Sequence, residues 1–99
     1  MTGAERIAQE RQRQIEVEGW DADHDDGTGN ALALAAACYA LPEKISDRSM
    51  WETPLRRLLW PWEERWWKPT PDNRIRELEK AGALIAAEID RLLRVRVEE

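Results

Sequence analysis

The chain has no phenylalanine, one cysteine and one histidine among its 99 residues. Each shortage removes a class of chemistry. A lone Cys38 permits no internal disulfide and no cysteine-based zinc site, and its apolar surroundings read as those of a small buried hydrophobe. A lone His24 leaves nucleophilic catalysis short of a base. Glycine is sparse too: Gly27-Thr28-Gly29 reads as a helix-entry turn and no Gly-rich phosphate loop is present. No apolar run approaches the ~18 residues of a membrane span, and the N-terminus lacks the apolar core of a signal peptide. A cytoplasmic protein with no membrane partner is expected.

The formal charge is −5, from 15 basic and 20 acidic side chains. That balance argues against nucleic acid as a partner. One domain of this size buries a modest fraction of its surface, so a homo-oligomer is expected to ease the shortage of core.

The pattern predicts an all-α fold with three main helices, over 4–18, 30–41 and 71–95. Glu10-Arg11-Gln12-Arg13-Gln14 makes the first helix polar on every face, so it must lean on the others; Gly19 reads as its C-cap. The second helix, Ala31 to Leu41, carries no charge and reads as buried on most sides, entered through Thr28 or Asn30 and stopped by Pro42. Thr70 and Pro71 read as the start of the third. Its apolar seam is Ile75, Leu78, Gly82, Ile85, Ile89 and Leu92, broadened by Ala81, Leu84 and Leu93 to pack on the second helix. Between these helices lies an irregular segment broken by prolines, with one brief helical turn expected over Leu55 to Leu59.

Three constellations are candidates for chemistry. In Trp20 to Gly29, Asp21, Asp23 and Asp25 start a calcium-loop spacing, but Asp26 stands where glycine is needed and Leu32 where glutamate is needed. A looser Mg²⁺ or Mn²⁺ site from His24, Asp25 and Asp26 is the functional reading. The plainer one, favoured here, is a polar loop without cofactor whose carboxylates cap the second helix. On the last helix, Glu77 and Glu88 share a face but stand about 16 Å apart, too far to bridge one metal. The third constellation is Trp60 to Pro69, with four of the six tryptophans. There Arg65 and Lys68 interleave with Trp62, Trp66 and Trp67, a pattern suited to stacking a ring and holding a phosphate. A core without phenylalanine also needs bulk, so most of these rings are expected inside.

Taken together, Glu10-Arg11-Gln12-Arg13-Gln14, Gly19-Trp20, His24-Asp25-Asp26, Ala35 to Ala40, Trp60-Pro61-Trp62, Trp66-Trp67-Lys68-Pro69 and Lys80 to Ile89 resemble a group of small phage and prophage proteins. The resemblance spans nearly the whole chain. It implies an accessory or counter-defence protein that binds a host component without catalysis, either a nucleotide-like ligand or a host defence protein. More distantly, the Arg- and Gln-rich first helix and the Trp-Gly loop are similar to the MazG-like all-α nucleotide pyrophosphatases, which hold Mg²⁺ on paired carboxylates. The chain departs from them in a carboxylate-free second helix and in Lys80, where an aspartate is expected three residues after Glu77. The enzymatic alternative is a divergent metal-dependent hydrolase using His24, Asp25, Asp26 and Glu88. A self-associating structural protein is the remaining alternative.

Overall fold

The computed structural model describes residues 1–42, 44–45, 48–49, 58–70 and 72–98, and its fold is all-α. Helix α1 spans Gly3–Glu16. A capping box starts it: Glu5 N–H donates to Thr2 Oγ1 at 3.1 Å, and Thr2 N–H donates to Glu5 Oε1 at 2.9 Å. Both groups would otherwise be orphan donors of a first helical turn. The helix ends at Val17, two residues before the expected Gly19. Gly19 instead sits at φ 76°, which turns the chain so that Trp20 N–H donates to the Gln14 carbonyl at 3.0 Å.

The acidic segment is not the open loop expected from its sequence. Ala22–Asp26 forms a short helix, α2, capped by Asp21, whose Oδ1 accepts from His24 N–H at 3.1 Å. Helix α3 follows over Ala31–Ala40. Asn30 is its N-cap residue without a side-chain cap bond, and the Thr28 hydroxyl donates to the Asp25 carbonyl instead. Lys44–Ile45 and Arg48–Ser49 pair as a two-residue antiparallel ladder, β1 and β2. The brief helical turn expected over Leu55 to Leu59 falls mostly outside the described residues; Leu58 and Leu59 are helical. A single 3₁₀ turn, Glu64–Trp66, interrupts the tryptophan segment.

Helix α4, Arg74–Glu98, is the longest element. It begins after the expected Thr70 and Pro71, because Asn73 supplies the cap: its Oδ1 accepts from Arg76 N–H at 3.1 Å. Arg74 ties this start to the end of α3. Its guanidinium donates to the carbonyls of Tyr39 (3.2 Å), Leu41 (2.9 Å) and Ala40, which the last turn of a helix leaves without partners.

Helices α1 and α3 both pack on α4. The core contains Leu32, Ala35, Ala36, Cys38 and Tyr39 from α3 and Ala81, Leu84 and Ala87 from α4, closed by Trp67. Alanine on both sides lets the two backbones approach closely. This overturns one expectation. The large aliphatic seam of α4 does not face α3: Ile75, Leu78, Ile85, Ile89 and Leu92 are 45–59% exposed, and Leu93 is 49% exposed. Of the expected face, the flanking Ala81 and Leu84 do pack on α3, joined by Ala87, while the seam itself turns outward. The same geometry leaves Ala33, Leu34, Ala37 and Ala40 of α3 exposed, so that helix is buried on one side only. Helix α1 meets α4 where Gly82 receives the Ile7 side chain, close enough that a Cβ there would lie 2.5 Å from Ile7 Cδ1.

Candidate ligand-binding cleft

The rest of the α1–α4 contact is polar. Glu10 and Gln14, one turn apart on α1, are 3% and 2% exposed. Glu10 receives Arg13 at 2.8 and 2.9 Å, Arg76 of α4 at 2.6 Å and Gln14 Nε2 at 3.2 Å. Burial alone would push the Glu10 carboxyl up; the hydrogen bonds and charges of Arg13 and Arg76 outweigh it and hold the group below its ordinary value. Arg13 in turn is raised, first by its bond to Glu10 and then, against burial, by Glu18. Glu18 lies 3.1 Å from Arg13 Nη1.

Beside this network the aromatic residues form one continuous assembly. Trp67 stacks on Tyr39 at 4.7 Å, and Trp60 meets both edge-on at 5.0 and 5.8 Å. Trp62 contacts Trp60 at 5.4 Å and Trp20 at 6.3 Å, and Trp20 stacks on His24 at 5.9 Å. The ring assembly stops short of closing over itself. A cleft of about 370 Å³ is lined by Glu18, Trp20, His24, Trp60, Trp62 and Trp66, with the buried Tyr39 and Leu84 as its floor. That volume falls in the range of small-molecule sites. Glu18, Trp20, Tyr39, Trp66 and Leu84 also line a narrower polar extension, where Glu10, Arg13, Gln14, Lys68 and Lys80 gather.

The polar extension is cationic on the α4 side. Lys80 Nζ donates to the Lys68 carbonyl at 2.9 Å and lies 5.6 Å from the Tyr39 ring centre. Burial, and after it the charge of Arg76, pushes the Lys80 ammonium below its usual value. Gln14 adds a hydrogen-bonding group. Its Nε2 must face Glu10, because a carboxylate only accepts, so Oε1 is the free end of the amide. That oxygen is buried without a partner.

The expected ligand residues divide accordingly. Trp62, Trp66 and Lys68 line the cleft or its extension. Trp67 is 7% exposed and belongs to the core, where its ring covers α3. Arg65 sits 5.1 Å from the Trp66 ring centre and pairs with Glu63 at 3.3 Å, outside the residues lining the cleft. Trp51 lies outside the described residues. Gln14, Glu18, Trp20, Tyr39 and Lys80 were missed. The i, i+4 spacing puts Glu10 and Gln14 on one side of α1, but in a stretch polar on every face nothing marks that side as the inner one.

Of the expected metal residues, His24 and Asp25 stay in contact and Asp26 turns to another helix. Asp25 is fully buried, with Arg11 at 3.1 Å and His24 Nδ1 at 2.9 Å, while Asp26 pairs with Arg94 of α4 at 2.7 Å. Two arginines thus pair with two of the four aspartates of the acidic cluster, and neither of these carboxylates caps α3. Among the described residues no three His, Cys, Asp or Glu side chains are grouped to hold a metal ion, and no helix is long and apolar enough to cross a membrane. Glu77 is also taken, accepting from Thr70 N–H at 3.3 Å with Arg74 at 3.6 Å. Glu88 pairs with Arg91 at 2.6 Å, away from the cleft. Comparison with models of known families, with curated proteins and with solved structures finds no match to this chain.

Proposed function

We propose that this protein binds a nucleotide-like small molecule, with the planar ring in the tryptophan cleft and the anionic part at Lys68 and Lys80. The observation that carries this reading is the junction of two surfaces. The aromatic slot shares Glu18, Trp20, Tyr39, Trp66 and Leu84 with a smaller pocket where Lys68 and Lys80 meet the Gln14 amide, whose buried Oε1 has no partner in the fold. Tryptophan faces accept any planar ring, at about 1–3 kcal/mol per stacked base. A lone acceptor at the slot's polar end favours a ring bearing an exocyclic amino group, since burying that oxygen unpaired costs about 1–3 kcal/mol. In the phage setting that the sequence resemblance implies, such binding would sequester a nucleotide of the host.

Fluorescence and calorimetric titration with ATP, dATP, GTP, ITP and UTP tests the reading. Amino-bearing ATP, dATP and GTP are expected to bind more tightly than ITP, and Trp66→Ala is expected to weaken all of them at least tenfold. Absence of saturable binding by any of the five overturns it.

One observation favours a second reading, hydrolysis of the same ligand's phosphoanhydride. Glu10 and Glu18 line the same polar extension as the cations. Both are committed to arginine, so the donors for Mg²⁺ or Mn²⁺ are not assembled. Chromatography of each nucleotide after incubation with protein and Mg²⁺ separates the two readings: unchanged nucleotide supports binding alone, and monophosphate product supports the hydrolase.

A further inference from the structure

The outward face of α4 carries a second surface, on the side of the helix away from the core. Ile75, Leu78, Gly82, Ile85, Ile89 and Leu92 follow one another at spacings of three and four, an unbroken a/d heptad repeat that ends at Arg96. Such a repeat is what one helix shows another. Among the described residues, Gly82 is met by Ile7, Ile75 and Leu78 border a shallow hollow with Gly3, Arg6 and Ile7 of α1, and Ile85 and Ile89 border the alanines of α3, yet none of these neighbours covers the aliphatic residues fully. The aliphatic members are half exposed while the tight intramolecular contact uses alanines.

We propose that this face is the interface with a second copy of the chain, paired across a two-fold axis. Three observations single out that occupant. First, the face carries both halves of a complementary fit. Ile85 and Ile89 form a ridge beside a groove of about 240 Å³ floored by Ala33, Ala36, Ala37 and Ala40. A two-fold axis sets the ridge of each copy into the groove of the other, the self-complementary arrangement an isologous dimer needs.

Second, the extent fits. Seven large aliphatic side chains, the five of the seam with Leu34 and Leu93, are 38–59% exposed. The seam runs about 26 Å along α4 at 1.5 Å per residue, a span suited to the ~800 Å² per partner of a standard interface. Third, the flanking charges are already neutralised within the chain. Glu88 pairs with Arg91 at 2.6 Å, and Glu79 with Arg6 and Arg76 at 3.2 Å each. A partner of strong single-sign charge finds nothing to pair with there, whereas an identical rim meets it without like-charge repulsion. The cleft is lined by other residues, so this inference stands apart from the nucleotide reading.

Sedimentation equilibrium of the wild-type chain at 1–100 μM is expected to give a dimer mass. Ile85→Lys and Ile89→Lys each place a charge on the ridge and are expected to shift that mass to a monomer while far-ultraviolet circular dichroism keeps its helical signal. Wild-type protein that stays monomeric throughout the range overturns the proposal. So do two variants that fold and remain dimeric, because the interface then lies elsewhere. Variants that lose helicity leave the wild-type mass, together with light scattering of Ala37→Asp on the groove side, to decide in the same two ways.

Discussion

Replacing Glu10 with glutamine tests whether the α1–α4 contact is held by a buried ionic network. The substitution keeps the shape and removes the charge that Arg13 and Arg76 share. Breaking a fully buried pair costs about 3–5 kcal/mol. Here both arginines are partly exposed, at 37% and 26%, and each keeps another carboxylate, Glu18 and Glu79. The expected loss is therefore smaller, about 2 kcal/mol, or roughly 8–16 °C in Tm for a domain of this size. The pH dependence supplies a sharper check. The Glu10 carboxyl is held below its ordinary value in the folded protein, so its contribution is complete above the unfolded carboxyl pKa of about 4.3 and fades as pH falls through the folded value. Thermal melts followed by circular dichroism should show the wild-type advantage full at pH 7 and shrinking below about pH 4. Equal melting temperatures at pH 7, or a gap that widens in acid, would refute the network as the source.

Gly82→Ala sets helix propensity, worth up to ~1 kcal/mol in favour, against a Cβ 2.5 Å from Ile7 Cδ1 and 2.7 Å from Cγ1, for which overpacking costs about 1–3 kcal/mol. Net destabilisation is expected in chemical denaturation, turning to stabilisation in an Ile7→Ala background; the same sign in both backgrounds contradicts the close approach. Arg74→Lys keeps a charge but gives up the fork that serves three carbonyls at the end of α3. A loss of about 1–2 kcal/mol is expected by urea unfolding, and no change in the midpoint counts against that cap. Because Lys80 deprotonates below the usual lysine value of about 10.4, affinity for a phosphate-bearing ligand is expected to fall at lower pH than ordinary lysine titration would give, and Lys80→Ala should flatten that profile.

Helix α3 and the long run of α4 were legible because composition alone marks them: an uncharged alanine stretch, and a sustained three–four aliphatic spacing. Which face of α4 goes inward was not legible. The sequence pattern ranks the bulky residues as core, but the packing rewards close backbone approach, and Ala81 and Ala87 permit it where Ile85 and Ile89 do not. The aromatic half of the cleft was visible in the tryptophan run. Its polar half was not, because Glu10 and Gln14 sit in a stretch polar on every face, and only Arg76 and Lys80, more than sixty residues on, turn that stretch inward. The acidic cluster misled for a related reason. Arg11 and Arg94 pair with two of its aspartates from other helices, and local spacing carries no trace of them.

Tyr39 is shared between two structures. Its ring packs on Trp67 in the core and forms part of the cleft floor, while its hydroxyl accepts from Lys68 N–H at 3.2 Å. If the cleft takes a ligand as proposed, folding and ligand capture would draw on the same side chain. A ligand seated on that floor would stiffen the core directly, so occupancy should register as a rise in melting temperature. The converse also follows. In a screen scored by binding alone, loss of Tyr39 would look like loss of a contact residue, although much of the damage would be to the helix that carries it.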